Sequence, residues 1–225
     1  MGIPGPKPKR KNIEWSENVA YALGLIASDG SLSINGRHID LTSKDREQLL
    51  NFMKCIDKEI TISEKKSKYG PEPILRAQFS DVVLYNFLYS IGLTPRKSLT
   101  IGALNVPDRF FFDFLRGIFD GDGCFYSYFD PRWKSSFMYY LQFGSSSKNH
   151  TDWLQASIER LCGVRGHRVH TGREGYKLYG LRYAKCESLV VIKRMYHKKS
   201  VVSLTRKKLK IQAALRIVGE SLPKG

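Results

Sequence analysis

The chain has 225 residues, 42% hydrophobic and 12% aromatic, which excludes a disordered or fibrous protein. A chain of this length can bury roughly 70% of its unfolded surface as one large or two small domains. Its net charge of +16 and pI near 9.7 point to a polyanionic partner, with nucleic acid ahead of an anionic membrane surface. No apolar run reaches the roughly 20 residues of a spanning helix.

The chain opens on a basic Pro/Gly-rich arm over residues 1–13, with GIPGPKPKRKN at Gly2–Asn12. The apolar run Val19–Ala27 that follows resembles a secretory leader, but Glu14 and Glu17 interrupt the positive region before it. A similar run recurs in mid-chain, where no leader can sit. The expected location is therefore not extracellular but the cytoplasm or nucleoid of a prokaryote, or an organelle matrix. Cys55, Cys124, Cys162 and Cys186 form no Cys-x-x-Cys and read as reduced, mostly buried thiols. His167 and His170 fall on opposite faces of a strand, which argues against a zinc site with Cys162.

Helical periodicity in Val19–Gly30 (VAYALGLIASDG) precedes a strand pair, LSINGRHIDLT, with a hairpin turn at Asn35–Gly36. Thr42-Ser43-Lys44 then opens an amphipathic helix carrying Leu49, Leu50, Met53 and Ile56. A second strand pair over about 59–80 and a third helix lead to Arg96-Lys97-Ser98. After a linker at 99–109 the order repeats. Phe112–Gly123 (FDFLRGIFDGDG) aligns with the first helix at an offset of 93, with Asp122 on Asp29. A longer strand pair, Phe125–Phe143, follows. Ser146-Ser147-Lys148 aligns with Thr42-Ser43-Lys44 at an offset of 104 and opens a helix with Trp153, Leu154, Ile158 and Leu161. Strands over about 164–184, a helix ending before Lys198-Lys199-Ser200, and an extra helix near 203–218 complete the chain. The expected fold is α+β, two αββαββα repeats at 14–98 and 110–225 packed through their first helices.

Each first helix carries small residues on one stripe: Ala20, Gly24 and Ala27 in one copy, Asp113, Gly117 and Gly121 in the other. Glycine inside a helix costs about 1 kcal/mol relative to alanine, and a bulk-free stripe lets two helix backbones touch. Such packing brings Asp29 and Asp122 together at the negative ends of two helix dipoles, where carboxylates are disfavoured unless a cation joins them.

ALGLIASDG (Ala22–Gly30) and LRGIFDGDG (Leu115–Gly123) resemble the motif of the single-chain, two-motif LAGLIDADG homing endonuclease family. The resemblance runs from about residue 14 to 218. Ala27 departs from the motif where Asp120 keeps it, but the family's metal-binding acid is the second aspartate, so Asp29 and Asp122 both remain. The resemblance implies a monomer that cuts both strands of a long pseudo-palindromic duplex DNA. It implies Mg²⁺ as the metal, Mn²⁺ substituting and Ca²⁺ binding without efficient cleavage. Asp29 and Asp122 would hold metal, with the carbonyls of Ser28 and Gly121 as further ligands, and two sheets would form a saddle for DNA.

Lys97 and Lys199 are candidates for the basic residue of each site, followed by Lys44 and Lys148, with Ser43 and Ser147 in polar pocket positions. Strand alternation sets Leu32, Ile34, Ile39 and Leu41 inward, leaving Ser31, Ser33, Asn35, His38, Asp40 and Thr42 outward with Arg37 at the turn. Tyr126, Tyr128, Tyr140 and Gln142 face outward in the second copy. Arg76, Gln78, Arg132, Lys134, His170, Lys177 and Arg182 extend this face, which suits base-edge readout by a β-ribbon. Lys65, Lys66, Lys68, Arg165, Arg168 and Arg173 flank it for phosphates. Two rivals remain. The same scaffold could bind without cutting, as an intron RNA maturase or DNA-binding regulator. A basic membrane-surface or ribosome-associated protein explains the charge but not the repeat.

Overall fold

The computed structural model describes residues 12–66, 70, 72–170 and 178–223; the arm's first eleven residues, Lys68, Arg173 and Lys177 lie outside them. The first half runs α1 (Glu17–Asp29), β1 (Gly30–Leu32), β2 (His38–Ser43), α2 (Arg46–Ile56), β3 (Ile62–Lys65), β4 (Ile74–Ser80) and α3 (Val82–Ser90). The second runs α4 (Phe111–Gly121), β5 (Cys124–Phe129), β6 (Phe137–Ser145), α5 (Lys148–Cys162), β7 (His167–His170), β8 (Tyr179–Ala184) and α6 (Lys185–Met195), with α7 (Thr205–Ile217) added. Both halves are therefore αββαββα. Their antiparallel sheets share one topology, β1-β2-β4-β3 and β5-β6-β8-β7.

Local chemistry sets the helix ends. Ser16, Asp45 and Asp81 cap α1, α2 and α3 by accepting from Val19, Glu47 and Leu84 N–H. At the centre α1 crosses α4, and Val19–Ala27 is buried on every side. A Cβ on Gly24 would lie 2.2 Å from the Phe114 carbonyl oxygen, and one on Gly117 would lie 2.2 Å from that of Tyr21. Backbone touches backbone there, so only glycine fits. The close approaches at glycine fall at Gly24, Gly117 and Gly121, the last against Ser28. Asp113 turns the other way and pairs with buried Arg116 at 2.8 Å. Arg116 also donates to the carbonyls of Val202 (2.8 Å) and Met195 (2.5 Å), so its charge is matched in the core.

Each half clasps the other. The linker carbonyls of Ile101 and Gly102 meet Ser147 Oγ (2.5 Å) and His150 Nδ1 (2.9 Å) at the start of α5. Ser203 O accepts from Asn51 of α2 at 3.1 Å, and Thr205 N donates to Glu47.

The strand registers correct several expectations. Ile34 is 71% exposed, because β1 stops at Leu32 and Ile34 enters the hairpin loop. Ser33 N–H donates to His38 O, so the loop is four residues, Ile34–Arg37, with Gly36 at φ 76. Leu50 faces solvent at 47% exposure while Phe52 and Cys55 face the core. Only Cys55 of the four thiols is buried; Cys124 and Cys186 are exposed. Asp45 N–H binds Ser43 Oγ (3.0 Å) just as Ser147 N–H binds Ser145 Oγ (3.1 Å). The repeat offset here is therefore 102 rather than 104, and the counterparts of Ser43 and Lys44 are Ser145 and Ser146, not Ser147 and Lys148.

Candidate active site

The crossing of α1 and α4 delivers their C-terminal ends to one place. A Cβ on Gly121 would stand 2.0 Å from Ser28 Oγ and 2.9 Å from Asp29 Oδ2, so the Asp29 carboxylate lies directly against the opposing helix. Asp122 follows Gly121 and lines a cleft of about 310 Å³ with Ser28, Lys97, Ser98, Ser145 and Ser146. Burial, then the Asp122 charge, raises the Asp29 pKa to about 6. Burial also raises that of Asp122, against the pull of Lys97 and Lys207. Two acids are thus held close, with Lys97 and Lys207 the cations acting on both.

Lys97 is the first cation at this point. It is 5% exposed, and its Nζ donates to Gly30 O, just beyond α1, at 2.7 Å. Burial lowers its pKa to about 8, opposed by Asp122 and Asp29. Arg96, at φ 58, places the chain in the left-handed region immediately before it.

The second cation is Lys207, which the sequence pattern did not single out. Its Nζ donates to the carbonyls of Phe119 (2.5 Å), Asp120 (2.9 Å), Gly121 (3.2 Å) and Gly123 (2.7 Å). It covers the negative end of α4, and its bond to Gly123 matches that of Lys97 to Gly30. Lys199, expected in this position, is exposed and lines a different cleft. Lys44 is exposed. Lys148 is exposed and pairs with Asp152 at 2.7 Å.

Gln48 is the other residue missed. It is buried, and its Nε2 donates to Asp29 Oδ2 at 2.6 Å. Ser43 Oγ donates in turn to Gln48 Oε1 at 3.0 Å, so Ser43, expected in a polar pocket position, positions Gln48. The counterpart of Gln48 in the second half is His150. Its ring turns to Gly102 O instead, leaving Nε2 buried without a hydrogen-bond partner. Burial pushes its pKa down to about 4. A buried polar residue in the first turn of an amphipathic helix was the available signal for both. Asp120 accepts from Tyr21 OH and Leu204 N–H, both at 2.7 Å, and is buried away from the cleft.

The outward sheet faces differ between halves. Cross-strand pairs place Ser31, Asp40 and Gln78 in one row, and Thr42, Arg76 and Ser63 in the next. Arg76 pairs with Asp40 at 2.5 Å. His38 lies outward beside Asn35 (Nδ1 to Nδ2, 2.6 Å), and Ser33, Asn35 and Arg37 belong to the loop end. In the second sheet Tyr126 and Tyr128 stack on Tyr140 at 5.1 and 6.1 Å, with Arg182 5.8 Å from the Tyr126 ring and bonded to Gln142. Arg132 and Lys134 are exposed at the hairpin tip, Arg132 paired with Asp130. Ser147, expected in a polar pocket position, is buried against the linker. His170 leaves this face, sharing the inner one with Leu181 and Arg168, so His167 is the outward histidine. Arg168 is bound to Asp152 and Gln155 of α5 and does not flank the saddle.

At the opposite end of the helix pair, ligand atoms of Glu17, Asp113 and His197 lie within 4.8 Å of one another. Lys198 already pairs with Glu17 at 2.5 Å and Arg116 with Asp113, so positive charge is supplied there.

No family model and no curated protein matches the sequence. Solved structures do. The N-terminal LAGLIDADG domain of DUF199/WhiA is 17% identical with a TM-score of 0.53, over 87% of this chain and 86% of that one. Mesophilic variants of the homing endonuclease I-DmoI are 15% identical at 0.53, over 80% and 94%. Meganuclease I-SmaMI, bound to uncleavable DNA, is 13% identical at 0.58, over 91% and 93%. At these identities the likeness is one of fold, and the chain carries the LAGLIDADG homing endonuclease fold in its single-chain, two-repeat form.

Proposed function

We propose that the chain is a site-specific, divalent-metal-dependent double-strand DNA endonuclease acting as a monomer on a long pseudo-palindromic target. The observation that carries this reading is the meeting of Asp29 and Asp122 at the crossed helix ends, with Lys97 and Lys207 beside them. A pure binder gains nothing from two mutually repelling acids placed where phosphates would come. The carboxylates fit a hard cation. Asp29 and Asp122 would hold Mg²⁺ with the carbonyls of Ser28 and Gly121. Gly121 O carries the longest of the four Lys207 bonds and is the most easily surrendered. Once bound, such an ion offsets the charge of a scissile phosphate and lowers the cost of deprotonating water.

The protein's own groups do the rest. Gln48, braced by Ser43, fixes which oxygen of Asp29 faces the cleft. Lys97 and Lys207 face the developing phosphorane charge from the two halves. One acid per half addresses one phosphate per strand. The polar rows of the first sheet and the tyrosine–arginine surface of the second read base edges, and the basic excess holds the backbone with a strong salt dependence. I-SmaMI bound to DNA, and I-DmoI in complex with DNA and Ca, support duplex DNA and a divalent ion as ligands of this fold.

The unequal halves, Gln48 on Asp29 but His150 turned from Asp122, give specific weight to a second reading, a binder on the same scaffold. Incubation with Mg²⁺ and duplex DNA carrying the uninterrupted insertion site of its own gene separates the two. The nuclease gives linear product that EDTA abolishes. A protein that retains such DNA without cutting it, with or without Mn²⁺, is the binder.

A further inference from the structure

The two hairpins that start beside the acids differ in length. In the first half Ser33 N–H closes the turn on His38 O, four residues after Asp29. In the second Asp130 N–H closes it on Ser136 O, eight residues after Asp122. Both first strands lead away from the helix ends, so the four further residues, at about 3.3 Å each, carry the second tip about 13 Å beyond the first. That is the rise of roughly four base pairs. The returning strands agree, β6 having nine residues and β2 six.

The extension overhangs the core. Strand alternation sets Phe129 on the inner face with Phe125, yet Phe125 is buried and Phe129 is 54% exposed. Tyr128 on the outer face is exposed too, and at the apex Trp133 is 70% exposed. The other two tryptophans, Trp15 and Trp153, are packed against the core. The apex is braced. Trp133 N–H donates to Asp130 O at 3.1 Å, Ser136 N–H donates to Trp133 O at 2.7 Å, and Arg132 holds both Asp130 carboxylate oxygens. Arg132 and Lys134, both exposed, stand on either side of the indole in sequence. The first tip repeats the pairing on a smaller scale, with Ile34 exposed near exposed Arg37. A large apolar group held in water between cations fits a polyanion that offers apolar surface beside its charges. Duplex DNA does so, with sugars, base edges and openable base steps next to phosphates.

We infer that Trp133 makes the outermost duplex contact of the second half, whose stretch of target is longer than the other by about four base pairs. This rests on the proposed placement of duplex DNA across the sheets, but not on the cut. The full chain is footprinted with hydroxyl radicals on duplex carrying the uninterrupted insertion site of its own gene, with Ca²⁺ in place of Mg²⁺. Trp133→Ala and Trp133→Phe are compared with it, and thermal midpoints, which loss of an exposed side chain should leave unchanged, check the fold. Trp133→Ala should weaken binding about tenfold and lose protection over the last few base pairs at one end only. Trp133→Phe should keep most of both. The break made in Mg²⁺ should lie nearer the end that Trp133→Ala leaves unaltered. Unchanged ends in Trp133→Ala, a retreat at both ends, or a break at the footprint's centre overturns the inference while leaving duplex DNA on the sheets. A parent that protects no duplex overturns that placement and the inference with it.

Discussion

The ammonium of Lys207 donates to the carbonyl oxygen of Gly123 at 2.7 Å, on the residue that follows Asp122. In the other half, Lys97 holds Gly30, which follows Asp29, in the same way. The two acids of the cleft are therefore each accompanied by a lysine fixed on the adjacent carbonyl, although the lysines come from unrelated places in the repeat. This accounts for two carboxylates surviving at the negative ends of helix dipoles.

Lys207→Met removes that ammonium and withdraws its three N–H donors from the carbonyls at the end of α4, of which Phe119 O keeps the Gly123 N–H. The expected cost is about 1–3 kcal/mol in urea unfolding, together with loss of cleavage. Lys199→Met should leave cleavage within twofold of the parent. Normal activity in Lys207→Met, with activity lost in Lys199→Met, would restore the pairing that the sequence repeat suggests.

The helix crossing makes a second prediction. Alanine at Gly24 or Gly117 drives a methyl to 2.2 Å from a backbone oxygen, which neither helix can relieve without separating. A loss of 3 kcal/mol or more is expected, at the upper end of ~1–3 kcal/mol for overpacking. Gly102→Ala, where a Cβ meets nothing within 4 Å, should be close to neutral. Chemical denaturation midpoints of the three variants decide it.

The pH dependence of the metal-free protein follows from Asp29. Its folded pKa of about 6 exceeds the ordinary 3.8, so the folded state binds more protons between those values. The stabilising contribution is present below about pH 4 and lost as pH rises through 6, by about 3 kcal/mol at most. Comparing parent with Asp29→Asn isolates it: their stability difference should widen in favour of the variant across this window. Mg²⁺ should close the gap above pH 6. A difference that stays flat from pH 4 to 7 contradicts the burial-driven shift.

The two aspartates of DGDG have separable roles. Asp120 accepts from Tyr21 and Leu204 through Oδ2, while Oδ1 is buried without a partner. Asp120→Asn keeps one acceptor oxygen for both donors and removes a charge from the core, so it should fold and retain cleavage. Tyr21→Phe withdraws a donor from a buried carboxylate and should lose about 1–3 kcal/mol. Cleavage that disappears in Asp120→Asn, in a folded protein, would place Asp120 in the cleft chemistry.

The helix pair and its acids were legible in the sequence because glycine inside a helical period has few meanings, and two such helices share one register with their Asp-Gly ends. The flanking groups were not. Ser145, Ser146 and Ser147 are consecutive serines, so the offset could slip by two until strand pairing fixed it. Lys97 follows the end of α3 by seven residues and Lys207 follows α6 by twelve. A dipeptide before serine therefore matched the wrong lysine. Gln48 and His150 occupy one position with different chemistry, and only the Gly102 carbonyl, brought over by the linker, explains why His150 turns away.

The central claim is that Asp29 and Asp122 each serve the cutting of one strand. Sequencing both 5′ ends from a plasmid carrying the insertion site, after incubation with Mg²⁺, tests it directly. The parent should break both strands, Asp29→Asn and Asp122→Asn should each leave a nick on opposite strands, and the double variant should leave supercoiled DNA. Undiminished breakage of both strands by either single variant would contradict the claim.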